Sequence, residues 1–473
     1  MNRFQTVPFQ FVGSTYQSRS RPLSSQNTVN MYVQVNERGK DPASMHPFPG
    51  QKLLFTATGD LDRGMHRMAE VLYRVLDNVL YRFDINGGNT ALGVMSGEAR
   101  CIFADDGENL VIVAEKVYVY SSFTNTFVEN TNVNLVDVLS VTILNNQFIY
   151  TTAKLSFMSA PGDPLSVSGL DGIGAESSPD NLVRDYAFNQ TLYRFGVRTT
   201  EPWYNTGVGS PPIDRIDGQE FSIGLAAIHS LTNTDNALYW LGDDHAIYRV
   251  SGGMHQRISD DGISNTIEKM AVVSDAFGYA LTLQGMDFYV ITFPSGNKTF
   301  MLNEVLGVNG WSELTSGTNG DAYSGTSLVE VYGKNIVARK GELLELSLNE
   351  YTENSDVMLR QRTGLPITRK NIPSPIKGRK IKISRIDFIM EQGVGLITGQ
   401  GKVPRMLLEL SFDGGRSYAH SQWVELGRMG QNTIEVIADV LASGYEIVPR
   451  ITISDPVPVS IFSTTVDIKA VAK

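Results

Sequence analysis

One pattern recurs along most of this 473-residue chain: an apolar alternating run, a tight polar or glycine corner, and a second alternating run. "NALYWLGDDHAIYRVSGG", at 236–253, is a clear instance, and others lie at 109–122, 145–164 and 189–207 and from 278 and 334 onward. Alternation with period two places successive side chains on opposite faces, so each run reads as a strand and each pair as a hairpin. Helical periodicity is nearly absent. Its best candidate, "RMAEVLYRVLDNVLYRF" at 67–83, reads better as two strands with a corner at Asp77 and Asn78, because valine, leucine and tyrosine crowd both sides.

The anchors Val111, Phe148, Leu192, Leu238, Ala280 and Ile336 fall roughly 40–50 residues apart, the range of propeller blades. A single four-stranded blade cannot bury both faces, whereas blades set radially bury one another and leave only short protected edges. The expectation is an all-β chain: a β-propeller of roughly six irregular blades, to within one blade, with a large β-sandwich or an open β assembly as the alternative. The 44 glycines, scattered rather than periodic, suit many short strands with tight turns.

Near Arg360 the texture changes. "LRQRTGLPITRKNIPSPIKGRKIKISRI", at 359–386, holds three prolines, two glycines and no acidic residue. Its bases are Arg360, Arg362, Arg369, Lys370, Lys377, Arg379, Lys380, Lys382 and Arg385. It reads as a connector. The expected division is a propeller with the N-terminal segment over 1–358, a basic connector over 359–386, and a C-terminal β-sandwich or small barrel over 387–473. Six of the bases, Arg369, Lys370, Lys377, Arg379, Lys380 and Lys382, are candidates for contact with DNA phosphates or a partner, which require only cations within reach. The alternative is a solvated linker that meets an acidic neighbouring surface.

The net charge of −10 argues against a general nucleic-acid binder but is compatible with a surface past which nucleic acid slides. Cys101 is the single cysteine, which excludes an intramolecular disulfide and a cysteine-based zinc site within one chain. The N-terminal residues lack the apolar core of a secretory signal, and no apolar run approaches the ~20 residues of a membrane helix.

No catalytic signature is found. The histidines, His46, His66, His229, His245, His255 and His420, make no His-Glu-x-x-His, and neither Gly-x-Ser-x-Gly nor a phosphate-binding Gly-x-x-x-x-Gly-Lys loop occurs. Asp243, Asp244 and His245 could be read as a metal or acid–base group, but aspartates at hairpin corners are more often turn formers. "SFDGGRSY", at 411–418, resembles the Asp-box turn of sialidase-type propellers, with Tyr418 in place of tryptophan. Its aspartate accepts turn amides and its glycines permit positive φ, so one copy predicts a hairpin. "ADDGEN", at 104–109, is too short for a calcium-binding loop. No catalytic residue, metal or cofactor is predicted.

Three segments carry a family resemblance. "TVNMYVQVNERGKDPASMHPFPG" (28–50) resembles an opening that leads to a Pro-Gly. "GIGAESSPDNLVRDYAFNQTLYRFGVRTTEPWYNTG" (172–207) resembles an Ala-Glu-Ser, Pro-Asp, strand, Glu-x-Trp run. "LAAIHSLTNTDNALYWLGDDHAIYRVSGGMHQRIS" (225–259) resembles a His-Ser, Trp-Leu-Gly-x-Asp, Tyr-Arg, Arg-Ile-Ser run. Together they are similar to the tail nozzle or hub proteins of short-tailed bacteriophages, also called packaged-DNA stabilisation proteins. The resemblance implies a structural, non-enzymatic virion protein with no cofactor, made in the host cytoplasm and located in the tail. It implies a homohexameric ring below the portal and its adaptor ring, continuing the channel for double-stranded DNA and helping to retain the genome. A tail needle or plug and tailspikes are the further partners implied. The alternative function is a glycan-binding or glycan-cleaving propeller acting on the host surface, which would require several Asp-boxes and paired carboxylates.

Overall fold

The computed structural model describes residues 3–174, 180–371 and 380–471. Strands dominate, and the one α-helix among the described residues is the short Asp261–Ile267. Six consecutive antiparallel four-stranded units follow one another along the chain: blade 1 (62–94), blade 2 (102–129), blade 3 (140–174), blade 4 (182–215), blade 5 (232–257) and blade 6 (277–316). Blade 7 takes three strands from 327–347 and its fourth from far upstream: Gly50–Thr56 pairs antiparallel with Glu342–Ser347. Seven blades lie within the one-blade margin of the sequence reading. The blade without an anchor in that reading is blade 1, whose strands Val71–Leu76 and Val79–Phe83 flank the expected corner at Asp77 and Asn78.

Apolar packing closes the ring. Seven buried clusters each bridge one neighbouring pair of blades: Tyr73 and Val75 meet Ile112 and Tyr120 between blades 1 and 2, and Leu72 and Phe83 meet Ile336 and Leu343 between blades 1 and 7. The other five interfaces are filled in the same way. The middle strands therefore bury both faces, which explains near-continuous burial in runs such as Leu-Tyr-Trp-Leu of Leu238–Leu241, while outer strands such as Met254–Arg257 stay exposed. In five blades the first corner has positive φ at both central residues: Ala69 and Glu70, Asn145 and Asn146, Asn189 and Gln190, Gln284 and Gly285, Tyr332 and Gly333. That is the mark of a type I′ turn, whose twist matches that of the flanking strands.

An eighth apolar cluster fills a β-sandwich. One sheet runs Met31–Val35, Ala43–Pro47, Ile461–Ala470, Ile381–Met390, Val436–Gly444, with Gln5–Phe9 also paired to Ile461–Ala470. The facing sheet contains Ser25–Val29, Arg360–Thr363, Glu446–Ile453, Arg405–Ser411 and His420–Glu425. Alternation sends Ile381, Ile383, Ile386, Phe388 and Met390 into the core, with a register shift between Ile383 and Arg385 accounting for the extra residue. A parallel bridge from Val29 to Glu313 joins this second sheet to blade 6.

Candidate functional site

The blade interfaces combine apolar clusters with aromatic contacts. Trp240 in blade 5 lies edge-on to Phe195 of blade 4 at 5.4 Å between ring centroids and stacks on Tyr248 at 5.6 Å. Tyr239, the next residue back, faces the opposite way and stacks on Tyr289 of blade 6 at 5.0 Å. Two adjacent aromatics thus cement two different interfaces, because period two turns them to opposite faces.

Buried ion pairs add a second fastening. Asp62 of blade 1 accepts Arg74 Nε at 2.8 Å, and both side chains are wholly enclosed. The same carboxylate accepts the hydroxyls of Thr326 and Ser327, each at 2.7 Å, at the edge of blade 7. Arg74 also donates to the carbonyls of Lys340 and Glu342 in that blade. Blade 4 repeats the device: Asp185 accepts Arg194 at 3.3 Å and the hydroxyl of Ser156 from blade 3, and Arg194 donates to the carbonyls of Ile173 and Gly174. Nothing in the hairpin pattern marks these pairs; an arginine inside an otherwise apolar strand is the one sequence signal that could have found them.

The motif candidates resolve into turns. Asp243 accepts the amide of Gly224 at 2.7 Å, and Asp244 accepts the amide of Ala246 and the hydroxyl of Tyr248. His245 holds φ of 63° at the corner. Asp105 and Asp106 accept the amides of Gly107, Glu108 and Asn109, closing the acidic turn in the same manner. Asp413 accepts the amides of Arg416 and Ser417 and the hydroxyls of Ser411 and Ser417, which hold its carboxyl well below the usual range. Tyr418 packs there under the Arg450 guanidinium at 3.5 Å. Among the described residues no group of three or more His, Cys, Asp and Glu side chains could hold a metal ion.

The basic stretch divides. Arg360 and Arg362 are fully buried in the sandwich and bind backbone and neutral acceptors. Arg360 donates to the carbonyls of Val457 and Asp455, and Arg362 to those of Phe11 and Ser14 and to Gln26 Oε1. Burial lowers their basicity, to about 10 and about 9. Of the six proposed contact residues, Lys370 and Lys380 are exposed, while Arg369 and Lys382 are half-buried. Lys377 and Arg379 lie outside the described residues.

A cavity of about 360 Å³ lies on the propeller axis, lined by the first strands of all seven blades. Its polar walls include His66, Arg100, Asp105, Arg184, His229 and Tyr279. His66 Nε2 is 2.6 Å from Asp105 Oδ2 and stacks on Phe103 at 5.6 Å. Burial, and then the Arg100 and Arg184 charges, push the His229 imidazole down to about 3.

Fold and site together define a closed seven-bladed β-propeller with a sandwich attached, fastened by aromatic contacts and enclosed ion pairs. The chain belongs to the phage-stabilisation family, whose model, described as "Bacteriophage P22 Gp10, beta-propeller", matches residues 5–349. It is accordingly a packaged-DNA stabilisation protein of the phage tail, as the sequence resemblance implied. No curated protein matches the chain. Among solved structures, virginiamycin B lyase from Staphylococcus aureus is similar at 11% identity, covering 67% of this chain and 99% of that one, with a TM-score of 0.43. The N-terminal domain of Nup159 is similar at 11% identity, covering 68% and 99%, with a TM-score of 0.41. The computationally designed Ika8 protein gives 10%, 63% and 99%, with a TM-score of 0.38. At these TM-scores the propeller assignment rests on strand pairing and the family match alone.

Proposed function

We propose that copies of this chain form a ring, a homohexamer, below the portal and its adaptor ring, continue the channel for double-stranded DNA and help to retain the packaged genome. The observation that carries this reading is membership of the phage-stabilisation family over residues 5–349. The protein's role is then mechanical, with no catalysis and no cofactor, and its synthesis precedes assembly in the host cytoplasm. A tail needle or plug and tailspikes are the further partners.

The fold supports this role in three ways. Ring closure leaves only short, protected sheet edges, giving a stiff module. An axial cavity of about 360 Å³ is the size of a small-molecule pocket, so the DNA passage runs between subunits, not along the blade axis. With a net charge of −10, an acidic channel wall would repel phosphates at short range, screened over about 10 Å at 0.1 M salt, so that DNA passes without being held.

We further propose a discontinuous division of the described residues: a propeller over 50–347 and a sandwich assembled from 3–47, 360–371 and 380–470. Arg369, Lys370, Lys380 and Lys382 then belong to the sandwich side, and together with Lys377 and Arg379, which lie outside the described residues, they are proposed to contact a partner or DNA phosphates. Images of the chain mixed with its adaptor ring test the ring: a sixfold assembly with a central hole is expected, and free monomer in the presence of that ring would overturn the reading. Reversing the charge of Lys370, Lys380 and Lys382 is expected to lower particle yield or genome retention. Normal yield and full retention would return the strip to a solvated linker.

A further inference from the structure

The polar groups around the propeller axis are out of balance. Arg100 and Arg184 both face the axial cavity, and among the described residues neither is in an ion pair, whereas Arg74 and Arg194 in the same propeller each have an aspartate. Arg100 donates to the carbonyl of Thr326 and lies over the Phe277 ring at 4.1 Å. Arg184 donates to the carbonyl of Ile228 at 2.7 Å and lies over Tyr186 at 5.1 Å. Those contacts steady the two guanidiniums without neutralising them; Arg100 also feels the Asp62 carboxylate, which is itself paired with Arg74.

Two buried donors at the cavity are also unmatched. Arg184 is only 9% exposed, and its Nε has no hydrogen-bond partner; Tyr279 is 6% exposed, and its hydroxyl has none either. A buried donor left without an acceptor costs about 1–3 kcal/mol, so such groups in folded proteins generally have a partner. The cations converge: the His229 imidazole feels both Arg100 and Arg184, and the Tyr279 hydroxyl feels Arg100. The carboxylate in the lining, Asp105, is engaged with His66 on the blade 1 and 2 side.

We propose that the axial cavity is a binding site for a small oxyanion, a phosphate or carboxylate group, held by Arg100, Arg184 and the Tyr279 hydroxyl. The chemistry follows from the donors: guanidinium N–H groups and a phenol hydroxyl make charge-assisted bonds to anionic oxygen, and bonds of that kind are about twice as strong as neutral ones. Arg184 belongs to blade 4 and Tyr279 to blade 6, and Arg100 leads into blade 2, so one anion ties three blades across the axis. The proposal rests on residues of the propeller alone and uses neither the hexamer nor the basic strip, so it stands whether or not the hexamer does.

The test is thermal unfolding and calorimetric titration of the full chain in an amine buffer, with inorganic phosphate, acetate or chloride at matched ionic strength. The expected result is saturable one-to-one binding of phosphate or acetate, with a Tm rise that chloride does not reproduce; which of the two binds identifies the source of the oxyanion. Tyr279→Phe removes one hydroxyl and keeps the ring, so it should fold and weaken binding several-fold, and Arg184→Gln should abolish the shift. Should Arg184→Gln not fold, the His229 ring signals in wild-type protein provide the second readout. A bound anion beside the imidazole favours its protonated form, so its titration moves up in pH with phosphate, which is still an anion in that range, and not with chloride. Absence of an anion-specific Tm shift and of any movement of His229 in the wild type would overturn the proposal, as would an undiminished shift in Tyr279→Phe and Arg184→Gln together.

Discussion

Two seams of the propeller and the sandwich bury arginine in different ways, although Arg63 of blade 1, like the sandwich arginines, is enclosed with carbonyls as acceptors. In the propeller, Arg74 and Arg194 each have a carboxylate of the same blade and carbonyls or hydroxyls of the next. In the sandwich, Arg360 and Arg362 are enclosed with carbonyls and neutral side chains as acceptors. The propeller version joins repeated units at their seams, and pairs of opposite charge can be exchanged for apolar pairs. The sandwich version gathers segments from distant parts of the chain: Arg362 binds Phe11 and Ser14 near one end, and Arg360 binds Asp455 and Val457 near the other. Enclosed carbonyls that depend on a cation cannot be matched by an apolar replacement.

The contrast can be broken most directly at the seam between blades 1 and 7. Asp62→Ala leaves Arg74 enclosed without its carboxylate and is expected to cost about 3–5 kcal/mol, read as a fall in the denaturant midpoint. Replacing the pair together, as Asp62→Leu with Arg74→Met, should recover part of that loss: both charges lose their desolvation cost, while the carbonyls of Lys340 and Glu342 and the hydroxyls of Thr326 and Ser327 lose a partner. In the sandwich, Arg362→Met has no partner change that could rescue it. A loss of about 2–4 kcal/mol is expected from orphaned carbonyls, with amide exchange accelerated in both the 5–29 and 446–453 segments and unchanged in blades 2 and 3. Equal recovery in the two regions would erase the distinction.

A pH comparison sharpens it further. The folded-state pKa of His229 is about 3 against 6.5 for the free side chain, so below pH 6.5 the unfolded chain binds the extra proton and the folded chain does not. Stability from this group is therefore complete above about pH 6.5 and falls as pH drops toward 3. Wild type measured against His229→Gln should lose roughly 1–3 kcal/mol between pH 6.5 and 4.5, seen as a narrowing stability difference by chemical denaturation. A pH-independent difference would remove the imidazole from the axial cluster. The smallest effect is expected at the blade 1 corner, where Ala69 and Glu70 hold φ of 47° and 59°. Ala69→Asn with Glu70→Gly should raise stability by about 0.5–1 kcal/mol, because those residues suit a type I′ turn. No comparable gain is expected at Asn145 and Asn146, where the favoured residue type is already present.

Local alternation carried a large part of this fold. The strand pairs expected at 109–122, at 236–253 and from 278 onward all form hairpins, since period two and a turn residue suffice to specify them. The family resemblance was legible because it rests on contiguous segments. Other features were not. Blade 7 depends on Gly50–Thr56 finding a partner nearly 300 residues away, and no local pattern encodes that pairing. The sandwich combines Gln5–Phe9 with Ile461–Ala470 for the same reason. The nine bases of 359–386 look alike in sequence, yet Arg360 and Arg362 are enclosed while Lys370 and Lys380 are exposed, because burial depends on what the other sheet strands bring to each face. The axial cluster was invisible: Arg100, Arg184, His229 and Tyr279 lie far apart along the chain and meet only when seven blades close. The sequence alone determined strands, corners and the need for blades to cover one another, since these follow from backbone period and side-chain type. Tertiary structure decided which ends join, which cations are neutralised and what faces the axis, since those depend on contacts between residues hundreds of positions apart.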